Sequence, residues 1–162
     1  MGENTMLQDN LSKAVAIIAS LAANENVKSL IKLLHDELGS SKEQFVWKTL
    51  DEYLHNNELT GEFKSAWLFV IRKNTPSKAH YHPNSTQYTA VIKGTGSCEI
   101  ASIRSGLTNF NPNKLDTLYV IPKGTPHEFF PGSDDLIVIS LHTCKAEELI
   151  EIDCSSGSSR NY

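Results

Sequence analysis

The chain has 162 residues, 40% of them hydrophobic and 21% charged, with a formal net charge of −4, the make-up of one ordinary domain with a sizeable core. No block of Lys and Arg and no basic–aromatic ladder supports a nucleic-acid partner, and no apolar run reaches membrane-spanning length. Cys98, Cys144 and Cys154 follow no zinc-ligand spacing, and the first residues lack the basic region of a secretion signal, so reduced thiols in a cytoplasmic protein are expected.

Leu11, Ala14, Val15, Ile18 and Leu21 recur at helical spacing over residues 7–23, until Asn24 and Asn26 interrupt them. Val27, Leu30, Ile31, Leu34 and Leu38 predict a second amphipathic helix, closed by Gly39 at the capping position. Ser41 with Gln44 three residues on reads as a capping box, opening a third helix whose apolar side is Val46, Trp47, Leu50, Tyr53 and Leu54. These stripes are expected to be packing surface, against the rest of the chain or in a homodimer. His35 and His55 sit among acidic and polar residues and read as surface histidines.

The pattern changes near residue 61. Residues 66–71 form an apolar, aromatic and β-branched run, as a buried strand requires. Further short strands are expected at 88–92, 97–103, 115–121, 127–130 and 136–142, with turn residues between them and a hairpin at Lys93-Gly-Thr-Gly96. Such spacing indicates an antiparallel sandwich or barrel. The expected division is a helical segment over 1–60, a β domain over 61–153, and a Ser- and Gly-rich flexible tail over 154–162.

His80 and His82 stand two apart in a segment with strand character, so their imidazoles share a face. Gln87 and Gly94 follow, and His127 comes just past the Pro122-Lys-Gly turn. Two His from one strand, a third from a later strand and an amide between them can converge on one metal ion.

At these positions the sequence resembles the cupin superfamily. His80, His82, Gln87 and Gly94 fall on the spacing of its first motif, with Gln in place of Glu. Pro122, Gly124 and His127 match the second. Asn74 and Asp116 stand where the motifs have Gly, and Pro131 where the second usually ends in Asn. The resemblance covers roughly residues 67–142 and implies a jelly-roll β-barrel, so the expected fold is mainly β, a cupin-type barrel preceded by about three helices. It implies a divalent transition-metal ion, iron first among Fe, Ni, Mn, Zn and Cu, held by His80, His82, His127 and Gln87. Because Gln87 is neutral, the ion keeps its full charge and should favour small anionic chelating ligands such as thiolates, enolates, or hydroxy and amino acids.

Ser140-Leu-His142 also resembles the cysteine dioxygenase type of thiol dioxygenase, a three-His iron cupin with a Ser-x-His-x-Tyr series beside the metal. Here Cys144 stands where the Tyr would be. His142 is thus either a catalytic residue with Gln87 or a strand-end residue on the rim. The functional expectation is an oxygenase acting on a small anionic substrate. Its alternatives are a non-oxidative isomerase or lyase using the same ion, and a cupin that binds a small ligand without turnover. Trp67, Phe69, Thr89 and Phe129 are expected to line the barrel, Lys78 to share the phase of His80, and Tyr88 and Glu128 to face away.

Overall fold

The computed structural model describes residues 2–55 and 58–162. In chain order its elements are α1 (Gly2–Ala23), α2 (Glu25–Ser40), β1 (Phe45–Thr49), β2 (Ser65–Ile71), β3 (His80–Tyr81), β4 (Gln87–Lys93), β5 (Gly96–Ile100), β6 (Ile103–Gly106), β7 (Leu118–Ile121), β8 (His127–Pro131), β9 (Leu136–His142), β10 (Ile150–Asp153) and β11 (Ser159–Asn161). The strands make two facing sheets rather than one closed barrel, in the orders β1-β2-β9-β4-β7 and β11-β10-β3-β8-β5-β6. Among the described residues no single helix is long and apolar enough to cross a membrane.

Strand alternation divides the five-stranded sheet. Leu68, Val70, Ala90, Ile139 and Leu141 point outward, where α1 and α2 bury them under Ala14, Ile18, Leu21, Leu34 and Leu38. The helices therefore cover the back of the sheet. Ile71, Val91, Leu136 and Val138 point inward and meet Cys98 and Phe129 of the other sheet. Asn24, which reads in the sequence as an interruption, is the N-cap of α2, its side chain accepting from the amides of Asn26 and Val27. Gly39 lies inside α2 rather than capping it. The helix's last carbonyls are met instead by Arg72, whose Nη2 donates to Leu38 O at 2.8 Å and Ser41 O at 2.9 Å.

The third helix does not form. Residues 45–49 pair along β2, Phe45 with Ile71 through Thr49 with Trp67, leaving only a single 3-10 turn at Asp51–Tyr53. Phe, Val, Trp and Thr suit a pleated surface, and the open edge of β2 offers hydrogen bonds that an isolated short helix lacks. Hence a strand of the first sheet comes from the segment expected to be helical.

Two turns also differ. Residues 94–96 carry the chain from one sheet to the other, since β4 pairs with β7 and β9 whereas β5 pairs with β6 and β8. Gly96, at φ +144°, lies so close to β8 that a Cβ would stand 2.2 Å from the Phe130 carbonyl oxygen. The hairpin is one step later, at Ala101 and Ser102, both left-handed, and it splits the expected strand 97–103 into β5 and β6. The Ser- and Gly-rich last segment carries β11, which pairs with β10, and Tyr162 packs edge-on to Trp47, Trp67 and Phe69.

Candidate metal centre

The β3–β8 pairing sets His80 directly opposite His127, and the two-residue period brings His82 to the same face. One ligand atom from each of these histidines lies within 4.8 Å of the other two. Their ring centroids are 4.3 Å (His80–His127), 5.2 Å (His80–His82) and 5.4 Å (His82–His127) apart.

Each ring is turned by a backbone carbonyl. His80 Nδ1 lies 3.0 Å from Lys78 O, His82 Nδ1 2.8 Å from Ile150 O, and His127 Nδ1 3.0 Å from Thr125 O. A carbonyl only accepts, so Nδ1 carries the proton and the Nε2 lone pair is left free. Burial, reinforced by the charge of His80, lowers the pKa of His82 to about 4 and holds that of His127 well below its ordinary value. Neutral imidazoles at neutral pH are what a cation needs.

Gln87 approaches from the first sheet. Its Nε2 donates to Thr89 Oγ1 at 2.7 Å and reaches Ser140 Oγ at 3.4 Å, which aligns the amide. Among the described residues, two buried side-chain polar atoms lack a hydrogen-bond partner: Gln87 Oε1 and His127 Nε2. Both are lone-pair donors of the expected set. Leaving such atoms bare costs about 1–3 kcal/mol each, whereas a cation between them would satisfy both. Three imidazole nitrogens and an amide oxygen therefore fit a divalent transition-metal ion, without selecting which.

His142 stands outside the three-His group. It is paired in register with Gln87, is 1% exposed rather than on a rim, and has its ring 5.0 Å from that of His82. Its Nδ1 is 2.8 Å from Ser85 Oγ, and burial keeps its pKa well below normal. Cys144 is buried with Trp67 and Leu149. Phe69 and Phe129 line the pocket as expected, Thr89 anchors Gln87, and Lys78 lies in an adjoining, more polar cavity. Tyr88 faces the helical side, where its hydroxyl donates to Glu62 at 2.6 Å. His35 lies on the surface, 3.0 Å from the Asp135 carboxylate.

Sequence reasoning missed the contribution of the C-terminal strands. Glu151, Arg160 and Tyr162 all line the pocket, whose free volume is about 50 Å³. Glu151 Oε2 is 3.6 Å from His80 Nε2 and accepts from the Tyr162 hydroxyl, while Arg160 holds Glu151 Oε1 at 2.9 Å. In Ile150-Glu-Ile152 the usual reading of alternation puts the isoleucines inside and the acid in water. That reading points the wrong way here, and Ser155 to Ser159 reads as a loose end.

No protein-family model matches the sequence, and no curated protein matches it. Solved structures do match. The vicilin of hazelnut, Corylus avellana, is 17% identical over 73% of this chain and 34% of its own, with a TM-score of 0.56. The vicilin of tomato, Solanum lycopersicum, is 22% identical over 71% of this chain and 31% of its own, at 0.52. That of Solanum melongena, described as having different anionic ligands in structurally similar pockets, is 18% identical over 70% and 31%, at 0.51. This chain thus spans about a third of each vicilin chain. At such identities the likeness speaks for architecture, and with both sheets in place the chain has the cupin fold.

Proposed function

We propose that this protein is a metal-dependent cupin enzyme of the oxygenase kind, acting on a small anionic substrate that chelates at the open side of the three-His group. The observation that carries the reading is the pair of buried, unpartnered lone pairs, Gln87 Oε1 and His127 Nε2, in a pocket where burial keeps His82 and His127 neutral and all three rings turn Nδ1 to a backbone carbonyl. Bound there, a redox-active divalent ion supplies the chemistry by which a chelated anion reacts with dioxygen. His80, His82 and His127 hold it, and Gln87 adds a neutral oxygen. Phe45, Phe69 and Phe129 exclude water, and the charge of the bound ion would favour an anion. A vicilin with anionic ligands in its pockets is in keeping with that preference.

The resemblance of Ser140-Leu-His142 to thiol dioxygenases makes thiols the first substrates to try. A thiol taking up one dioxygen to become a sulfinic acid balances without any further reductant. The test is elemental analysis of protein purified without added metal or chelator, then oxygen-electrode measurements with small thiols and enolisable acids. Stoichiometric oxygen uptake with sulfinate or other oxygenated product supports the reading. Product without oxygen uptake indicates isomerase or lyase chemistry instead, tight binding without product indicates a ligand-binding cupin, and absence of retained or rebound metal refutes the metal reading itself.

A further inference from the structure

The cavity carries a charge that the resemblance does not explain. Among the described residues lining it, Glu151 is the one carboxylate. It reaches the pocket because β10 pairs with β3, Ile152 opposite Tyr81 and Asp153 opposite His80, so Glu151 falls beside the His80–His82 face. Its residue is 8% exposed, and Oε2 lies 3.6 Å from His80 Nε2, one of the three putting lone pairs toward the centre. Among the described residues no salt bridge to a helix or the opposite sheet reaches this buried acid. Its partners are Arg160 and Tyr162, both supplied by the last three residues, with Arg160 Nη2 also 2.9 Å from the Tyr162 hydroxyl.

We infer that Glu151 is the counter-charge of the three-His centre, taking from β10 the electrostatic part that position 87, an amide, cannot play. This rests on the metal reading above. A divalent ion held only by imidazoles and an amide would sit in a buried site with two uncompensated charges, which is unfavourable in a low dielectric. Glu151 supplies one negative charge on the His80 side. With no ion present, the same carboxylate is neutralised by Arg160, so Arg160 and the ion compete for one anion. The C-terminal strand is then more than a cover: its cation opposes loading while its phenol orients the carboxylate. The opposite signs expected for two neighbouring residues make the inference testable.

The experiment measures Co(II) affinity by competition with a chelator, together with thermal unfolding of metal-free protein, for wild type and variants. Glu151→Gln is expected to weaken Co(II) binding at least tenfold and Arg160→Gln to tighten it severalfold. Glu151→Asp, which keeps the charge, should recover most of the affinity, and adding Gln87→Glu to Glu151→Gln should restore it by placing a carboxylate on β4 instead. If Glu151→Gln unfolds, the Asp and Arg160 variants still decide. Affinity within twofold of wild type in Glu151→Gln, or a loss in Arg160→Gln equal to that in Glu151→Gln, overturns the inference while leaving the metal reading intact. Wild type that fails to bind Co(II) overturns both.

Discussion

The two faces of the five-stranded sheet are equally buried and chemically opposite. On the helical side Leu68, Ala90, Ile139 and Leu141 are all 0% exposed and wholly apolar. On the other side of the same strands Gln87, Thr89, Ser140 and His142 are 0–6% exposed, and they satisfy one another or face the cavity. One strand, β9, shows both: its odd positions 137, 139 and 141 go under the helices, while 136, 138, 140 and 142 run Leu, Val, Ser, His along the inside. The inner face is therefore dry at one end and polar at the other. Burial alone does not mark the site; residue parity and position along the strand do. Substitutions that cost stability and substitutions that cost metal should separate by parity.

The largest effect expected is across the cavity from that inner face, on β8 of the other sheet. His127→Ala should lower metal affinity about a thousandfold, about 4 kcal/mol at 1.4 kcal/mol per tenfold, with the unfolding midpoint of the metal-free protein changing far less. Metal retention after gel filtration and chelator competition check it, and retained metal would contradict the assigned donor set. Next comes the helical side. Ile139→Ala leaves a void beneath α1 and should cost about 3 kcal/mol in urea unfolding, while bound metal per folded molecule stays at the wild-type level. A variant that lost stability and metal together would break the separation.

Parity also explains how much could be read in advance. The alternation around His80 and His82, and the turn before His127, bring these three histidines into one group because period-two geometry and a short turn are local properties. The run 136–142 is a strand in both sequence and structure, since the apolar, β-branched stretch 136–139 that opens it suits a buried strand. Residues 45–49 misled because Val46, Trp47 and Leu50 satisfy helical spacing locally, and only the free edge of β2 decides for a strand. Glu151 and Tyr162 were illegible for a related reason. What draws an acid and a phenol inward is the His80 ring and the aromatic wall of Trp47, Trp67 and Phe69, all of them distant from Glu151 and Tyr162 in sequence.

A pH effect of comparable size belongs to the cavity between the sheets, where the buried histidines lie. His82 has its pKa lowered from 6.5 to about 4 by burial, then by the charge of His80. The unfolded chain takes up a proton near 6.5 that the folded chain refuses until about 4, so the metal-free protein loses stability as pH falls through that window. For His82 alone the loss is roughly 3 kcal/mol, at about 1.4 kcal/mol per unit. His127 and His142, shifted the same way by burial, add to it. Urea midpoints of chelator-treated protein at pH 7 and pH 4 measure this; equal midpoints would mean that the rings are solvated.

The smallest effect probes how the amide is held. Gln87 Nε2 donates to Thr89 Oγ1 at 2.7 Å, and Thr89 Oγ1 is in turn 2.8 Å from Ser140 Oγ, all on the inner face. Thr89→Val keeps the shape but removes that oxygen, so the amide loses its closer acceptor and keeps only Ser140 at 3.4 Å. The expected cost is about 1 kcal/mol, with metal affinity falling severalfold as Gln87 Oε1 loses its fixed direction. The outward neighbour gives the control. Ala90→Ser, one residue along on the helical side, buries a hydroxyl under apolar side chains and should lower stability by a similar amount without touching metal affinity. If both variants weaken the metal equally, Gln87 is not held by its own face of the sheet, and the centre depends on the sheet's packing as a whole.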